Sequence, residues 1–142
     1  MSFYRVRLLK QTTFLKGAKM KVAFATKDLN MIDEHFGWAK QFAIYEINKN
    51  GSEFVEVVKT SEDIEEEDVK IRSKIDALKD SSIVYCQAIG PTAAAKVIQS
   101  KIHPMKVTDV TPIADAIEQL VKMLNGNPPP WIKRILAKEE MQ

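Results

Sequence analysis

The chain of 142 residues is 45% hydrophobic and 28% charged, with 21 basic residues against 19 acidic ones and a net charge of +2. This is the composition of one globular domain, and it sets aside disordered and fibrous classes. Its single cysteine, Cys86, excludes an internal disulfide framework, a Cys-only zinc site and a cluster held by four cysteines of this chain.

No apolar run approaches the roughly 20 residues that span a bilayer. The N-terminus has neither the apolar core nor the cleavage site of a signal peptide, so a soluble cytoplasmic protein is expected. Residues 1–19 carry Arg5, Arg7, Lys10, Lys16 and Lys19 and no acid, a charge of +5. The rest of the chain then holds 16 basic against 19 acidic residues, or −3. This basic arm reads as a solvated, poorly ordered tail. Phe3, Tyr4, Leu8, Leu9, Phe14 and Leu15 leave open a docking role toward an acidic partner.

Met20–Thr26 (MKVAFAT) is apolar on both faces and predicts a buried first strand. Asp28–Ala39 reads as a loop ending in His35-Phe36-Gly37-Trp38. Gln41–Ile47 alternates as a second strand, and Glu53–Val58 returns as a third after Asn48-Lys49-Asn50-Gly51, where Asn-Gly supplies the positive φ of a tight hairpin. Residues 53–68 hold eight acids against Lys59 alone, which suits a loop leading into a helix. Val69, Ile71, Ile75 and Leu78 give that helix over 65–79.

Ser82–Cys86 predicts a fourth strand buried on both faces, followed by Gly90-Pro91-Thr92 and a helix over Ala93–Ser100. Pro104–Val107 is a short fifth strand. Thr111-Pro112 opens a helix through Leu124 with Gly126 as its stop. Asn127-Pro128-Pro129-Pro130 is a rigid linker before an amphipathic helix over Trp131–Lys138. The chain thus divides into a basic arm (1–19), an α/β domain (20–126), and a proline linker with a helix packed on that domain (127–142).

The order β-β-β-α-β-α-β-α-α predicts an α/β fold. It is a ribonuclease-H-like mixed five-stranded sheet, strand order 3-2-1-4-5, flanked by helices. Strands one and four lie parallel with connections leaving in opposite directions, so the loops over 26–39 and 86–91 meet at a topological switch point, where open α/β sheets bind ligands.

Two side chains at this point have metal-binding chemistry: His35, a neutral imidazole beside Gly37, and Cys86, a soft thiol. Each has a structural alternative, His35 as an exposed loop residue and Cys86 as a small buried hydrophobe. Gly90 and Thr92 at a helix start offer backbone N–H groups to an anion, or form an ordinary strand-to-helix turn. Lys27 and Lys40 flank the loop and suit an anionic ligand or are simply solvated; Met31 and Met105 offer soft sulfurs or are packing or surface residues. His103 precedes the fifth strand and falls at the opposite end of the sheet. Carboxylates do not converge at the strand ends as a two-metal nuclease needs, and no GxGxxG, GxSxG or HExxH sequence occurs, so binding rather than catalysis is expected.

MKVAFAT at Met20–Thr26, IDEHFGWAKQFAIYEI at Ile32–Ile47, YCQAIGP at Tyr85–Pro91, KIHPMKV at Lys101–Val107 and NGNPPPWIKRIL at Asn125–Leu136 together resemble one family of nitrogenase cofactor-maturation proteins. That family takes in NifX, the nitrogenase accessory factor gamma proteins and the C-terminal region of NifB. The HFG loop marks the wider family, and the IHP and PPPW segments are similar to its NifX branch. The resemblance implies a ribonuclease-H-like domain acting as a small, non-catalytic carrier. Its cargo would be iron–sulfur precursors of the iron–molybdenum cofactor, or that cofactor itself, bound transiently between scaffold proteins and the precursor-synthesising enzyme. His35 matches the family's cofactor-binding histidine; Cys86 and His103 match positions typical of the branch. Gly90-Pro91 departs from a commoner Gly-Gly-Pro. Neither nucleic acid nor a membrane is expected among the partners. The alternative is a protein-interaction adaptor that docks nitrogenase or scaffold subunits without a cluster.

Overall fold

The computed structural model describes residues 3–7, 15–60 and 65–140. Its elements are β1 (Phe3–Arg7), β2 (Met20–Ala25), β3 (Met31–Ile32), β4 (Gln41–Asn48), β5 (Gly51–Thr60), α1 (Glu67–Ala77), β6 (Ile83–Cys86), α2 (Pro91–Gln99), β7 (His103–Lys106), β8 (Thr111–Pro112), α3 (Ile113–Asn125) and α4 (Pro130–Glu140). Six strands form one sheet in the order β1-β5-β4-β2-β6-β7. β2, β4 and β5 are antiparallel neighbours, whereas β6 runs parallel to both β2 and β7.

The central strands are buried on both faces, as their unbroken apolar sequences require. Alternation sends Ala23, Ala25, Val84 and Cys86 to one face, where they pack with Ile71, Ile75 and Leu78 from the α1 region and Ala93 and Val97 of α2. Val22, Phe24, Ile83 and Tyr85 go to the other, against Ile113, Ala116 and Leu120 of α3 and Ile132 of α4. Phe24 stacks on Tyr85 with ring centroids 5.0 Å apart. Ile132 is wholly buried and anchors α4 on the same core; covering a side chain of that size stabilises by ~1.5–3 kcal/mol.

Three expectations change. Part of the expected arm is a strand: β1 pairs antiparallel with β5 from Phe3↔Thr60 to Arg7↔Glu56, adding a sixth strand at that edge. Leu8, Leu9, Lys10 and Phe14 of the arm, and Glu62 and Asp63 of the acidic stretch, lie outside the described residues. The 28–39 loop and the start of the third helix are not purely irregular and helical. Met31–Ile32 pairs with Thr111–Pro112 as the two-stranded sheet β3-β8, and α3 begins only at Ile113. In the β4–β5 hairpin the positive φ belongs to Gly51 (φ +144), while the Asn50 N–H donates to the Asn48 Oδ1 at 2.8 Å.

Candidate functional site

The loops after β2 and β6 do meet, and they meet by backbone pairing. Gln87 N–H donates to the Glu34 carbonyl at 2.8 Å and Phe36 N–H to the Ala88 carbonyl at 2.8 Å. His35 and Ala88 thereby form an isolated parallel bridge. The segment beyond β2 folds back and occupies the place beside the β6 extension that β2 itself vacates. At the switch point the two loops are stitched together into a seam by backbone hydrogen bonds.

The seam fixes His35 from both sides. Behind it, Phe36 is fully buried and sits 5.9 Å from Phe42, ring centroid to centroid. Ahead of it, the His35 carbonyl accepts the N–H groups of Trp38 at 3.1 Å and Ala39 at 3.0 Å, closing the single 3-10 turn Phe36–Trp38. This turn stacks the Trp38 indole on the imidazole, with centroids 4.7 Å apart and planes inclined by 7°. His35 is exposed, and Trp38 is 70% exposed. The two aromatics flanking His35 divide their roles: Phe36 is core, and Trp38 a surface plate against one face of the ring.

The first half of the loop is held by its own polar side chains. The Asp28 Oδ1 accepts N–H groups from Asn30 at 2.9 Å and Met31 at 3.0 Å, which together hold its carboxyl below the usual range. Leu29 N–H donates to the Thr26 Oγ1 at 3.0 Å, and Lys27 N–H to the Asp33 Oδ1 at 2.9 Å. These acids are turn formers whose oxygens serve the backbone, a role visible in the Asp28-Leu29-Asn30 sequence as an Asx turn. Lys74 of α1 was not singled out by the sequence reading. It is buried, and burial followed by the charge of Lys70 pulls its pKa down while Glu67 and Glu34 push it up. Its position between Ile71 and Ile75 on the apolar face was the available signal.

Cys86 lies next to the seam, its sulfur against the Ala88 backbone, but on the core side of β6. It is wholly buried in the α1/α2 core, and burial pushes its thiol up to about 11, so the thiolate a metal requires is disfavoured. The parity of β6 is the reason: Cys86 shares Val84's face, which packs against helices. Iodoacetamide at about pH 8 is accordingly expected to leave Cys86 unmodified in the folded protein, since a pKa near 11 leaves only roughly 1 thiol in 1,000 ionised. Mass spectrometry would show full modification only after denaturation. Rapid labelling of the native protein would return Cys86 to the list of ligands.

Gly90 caps α2 with φ −72° and ψ 160°, and Pro91 and an exposed Thr92 open the helix. Neither Gly90 nor Gly37 has a positive φ. A Cβ would meet nothing within 4 Å at Gly90 and only the Glu67 Oε2 at 3.9 Å at Gly37. Lys27 and Lys40 are exposed beside the loop. His103 lies at the start of β7, paired with Ile83, at the opposite end of the parallel strands from the seam. No group of three or more His, Cys, Asp or Glu side chains able to hold a metal ion occurs among the described residues. At the seam, the exposed side chain with metal-binding chemistry that the sequence singled out is His35.

Residues 18–123 match the family described as "Dinitrogenase iron-molybdenum cofactor". The chain is 41% identical over 125 residues to the NifX protein of Herbaspirillum seropedicae, covering 87% of this chain and 86% of that one. It is 36% identical over 142 residues to NifX of Rhodobacter capsulatus, covering 95% and 89%. Among solved structures it resembles the crystal structure of PH0822, with a TM-score of 0.59 over 72% of this chain and 90% of that one; at 22% identity this is a likeness of fold. No described helix is long and apolar enough to cross a membrane.

Proposed function

The chain belongs to the dinitrogenase iron–molybdenum cofactor family and has its role in maturation of that cofactor, and we propose that within this role it is a non-catalytic cytoplasmic carrier. Its cargo is an iron–sulfur precursor of the cofactor, or the cofactor itself, received from one biosynthetic protein and given to another. Scaffold proteins and the precursor-synthesising enzyme are the donors and acceptors. The architecture we assign is ribonuclease-H-like.

The observation that carries this reading is the exposed His35 imidazole, held rigid by the His35–Ala88 bridge and backed by Trp38. A cluster caged by four thiolates is retained by its protein. A cluster held by one imidazole and by surrounding hydrogen bonds can be passed on. Such cargo is anionic, so exposed Lys27 and Lys40 beside the loop, and the backbone N–H groups opening α2 at Gly90–Thr92, favour its approach without binding metal. Cys86 stays in the core and His103 at the far end, so neither ligates at the same centre as His35.

Anaerobic incubation with isolated cofactor, followed by gel filtration, tests the proposal. The protein peak is expected to carry iron and the broad visible absorption of the cluster. A peak without iron that still co-elutes with a scaffold protein would instead establish the adaptor reading.

A further inference from the structure

At the end of the sheet remote from His35, α2, β7 and α4 enclose an open groove of about 340 Å³. Its floor is apolar: Ile102 is buried, Ile98 is 58% exposed, and Trp131 and Ile135 line the α4 side. His103 closes one wall, stacked on Trp131 with centroids 3.8 Å apart and planes 9° from parallel. The IHP and PPPW segments thus build a single feature. The rim carries Lys101, Arg134 and Lys138, all exposed, and no carboxylate among the described residues lines the groove. The adjoining depression beyond Ser82 holds the acids Glu46, Asp80 and Glu139 and shares Lys101 and Lys138 with the groove.

Lys101 adds a second, independent observation. It has φ +67°, the left-handed conformation that ends α2, with its N–H donating to the Ile98 carbonyl and the Ile102 N–H to the Val97 carbonyl. Glycine is the residue this position favours. A lysine there strains the backbone and sets an ammonium on the groove's rim.

We propose that this groove docks an acidic segment of a partner protein, which lays aliphatic or aromatic side chains on Trp131 and Ile135 and carboxylates on Lys101, Arg134 and Lys138. Charge complementarity selects the occupant. Although Lys101 and Lys138 also border the acid-bearing depression, Arg134 does not, and the groove's own described lining is cationic without an acid, which favours an acidic segment. A half-exposed isoleucine beside a tryptophan asks for apolar cover. The proposal does not depend on what His35 binds.

The probe is a fluorescein-labelled helical peptide with leucines at i and i+4 flanked by glutamates, titrated by anisotropy at low salt. Binding is expected to weaken at least tenfold in the double variant R134E/K138E. A peptide with lysines replacing the glutamates should ignore the parent protein and bind that variant. Lys101→Gly is expected to raise the thermal midpoint, by relieving the positive φ, while weakening the acidic peptide about threefold, a combination that a purely structural lysine would not give. His35→Ala should leave the titration unchanged. The proposal is overturned if the acidic peptide fails to bind the parent, or if R134E/K138E binds it as tightly. It is equally overturned if replacing both leucines by alanine changes nothing, since the groove would then be a site for small anions only.

Discussion

His35→Ala is expected to lower retention of the cofactor by roughly 100-fold or more, while the protein keeps its fold and thermal midpoint. Losing a group that merely supports a metal ligand typically costs 10–100-fold in affinity, and losing the ligand costs at least as much. The fold should be indifferent because the bridge to Ala88 is made by the backbone and the ring is exposed, so its removal takes away little beyond the stack on Trp38. Iron retained after gel filtration, set beside circular dichroism of the same sample, measures both halves. Cys86→Ala is the matched control: it should bind within about threefold of the parent, since the thiol lies in the core. Equal iron on the parent and on His35→Ala would remove His35 as the ligand.

Phe36→Ala carries the largest expected effect on stability, about 3–5 kcal/mol. The ring is fully buried against Phe42 in the α1/α2 core, and the loop around it cannot collapse without breaking the two hydrogen bonds of the seam. With a urea m-value of about 1–3 kcal/mol/M, the unfolding midpoint should fall by at least ~1 M. Binding should fall with it under conditions where the variant is still folded, because Phe36 is the residue that pins His35 to the core. Hydrogen exchange localises the effect: the amides of Phe36 and Gln87 should lose protection before those of β2 and β4. Unchanged protection at those two amides would mean that the seam is held by something other than Phe36.

Much of this was legible from local pattern. Runs apolar on both faces marked β2 and β6, alternation marked β4, and the 3.6-residue spacing of Ile113, Ile117, Leu120, Val121 and Leu124 marked α3. The seam was legible only as a meeting of two loops. Its content is a pairing of residues 34–36 with 87–88, distant in sequence and made by backbone groups every residue type has. β3 and β8 escaped for the same reason, since two-residue strands have no period to detect. Cys86 shows a different limit. Alternation tied it to Val84, but which face of β6 meets which helices depends on packing that no local window contains. For β1, the alternation of Tyr4 and Val6 with Phe3, Arg5 and Arg7 was weaker than the charge that made the segment look like a tail.

The parallel bridge at His35 also bears on kinetics. Its hydrogen bonds are backbone bonds between the two loops of the folded chain, so the conformational entropy of ordering the histidine loop is lost when the chain folds. On the proposed reading, a cluster coordinated by His35 would meet a preorganised donor, and its departure would require one coordinate bond to break without the loop opening. Exchange at such a centre would run at the rate of ligand substitution at the metal, and an acceptor would accelerate it by offering a competing donor rather than by unfolding the carrier.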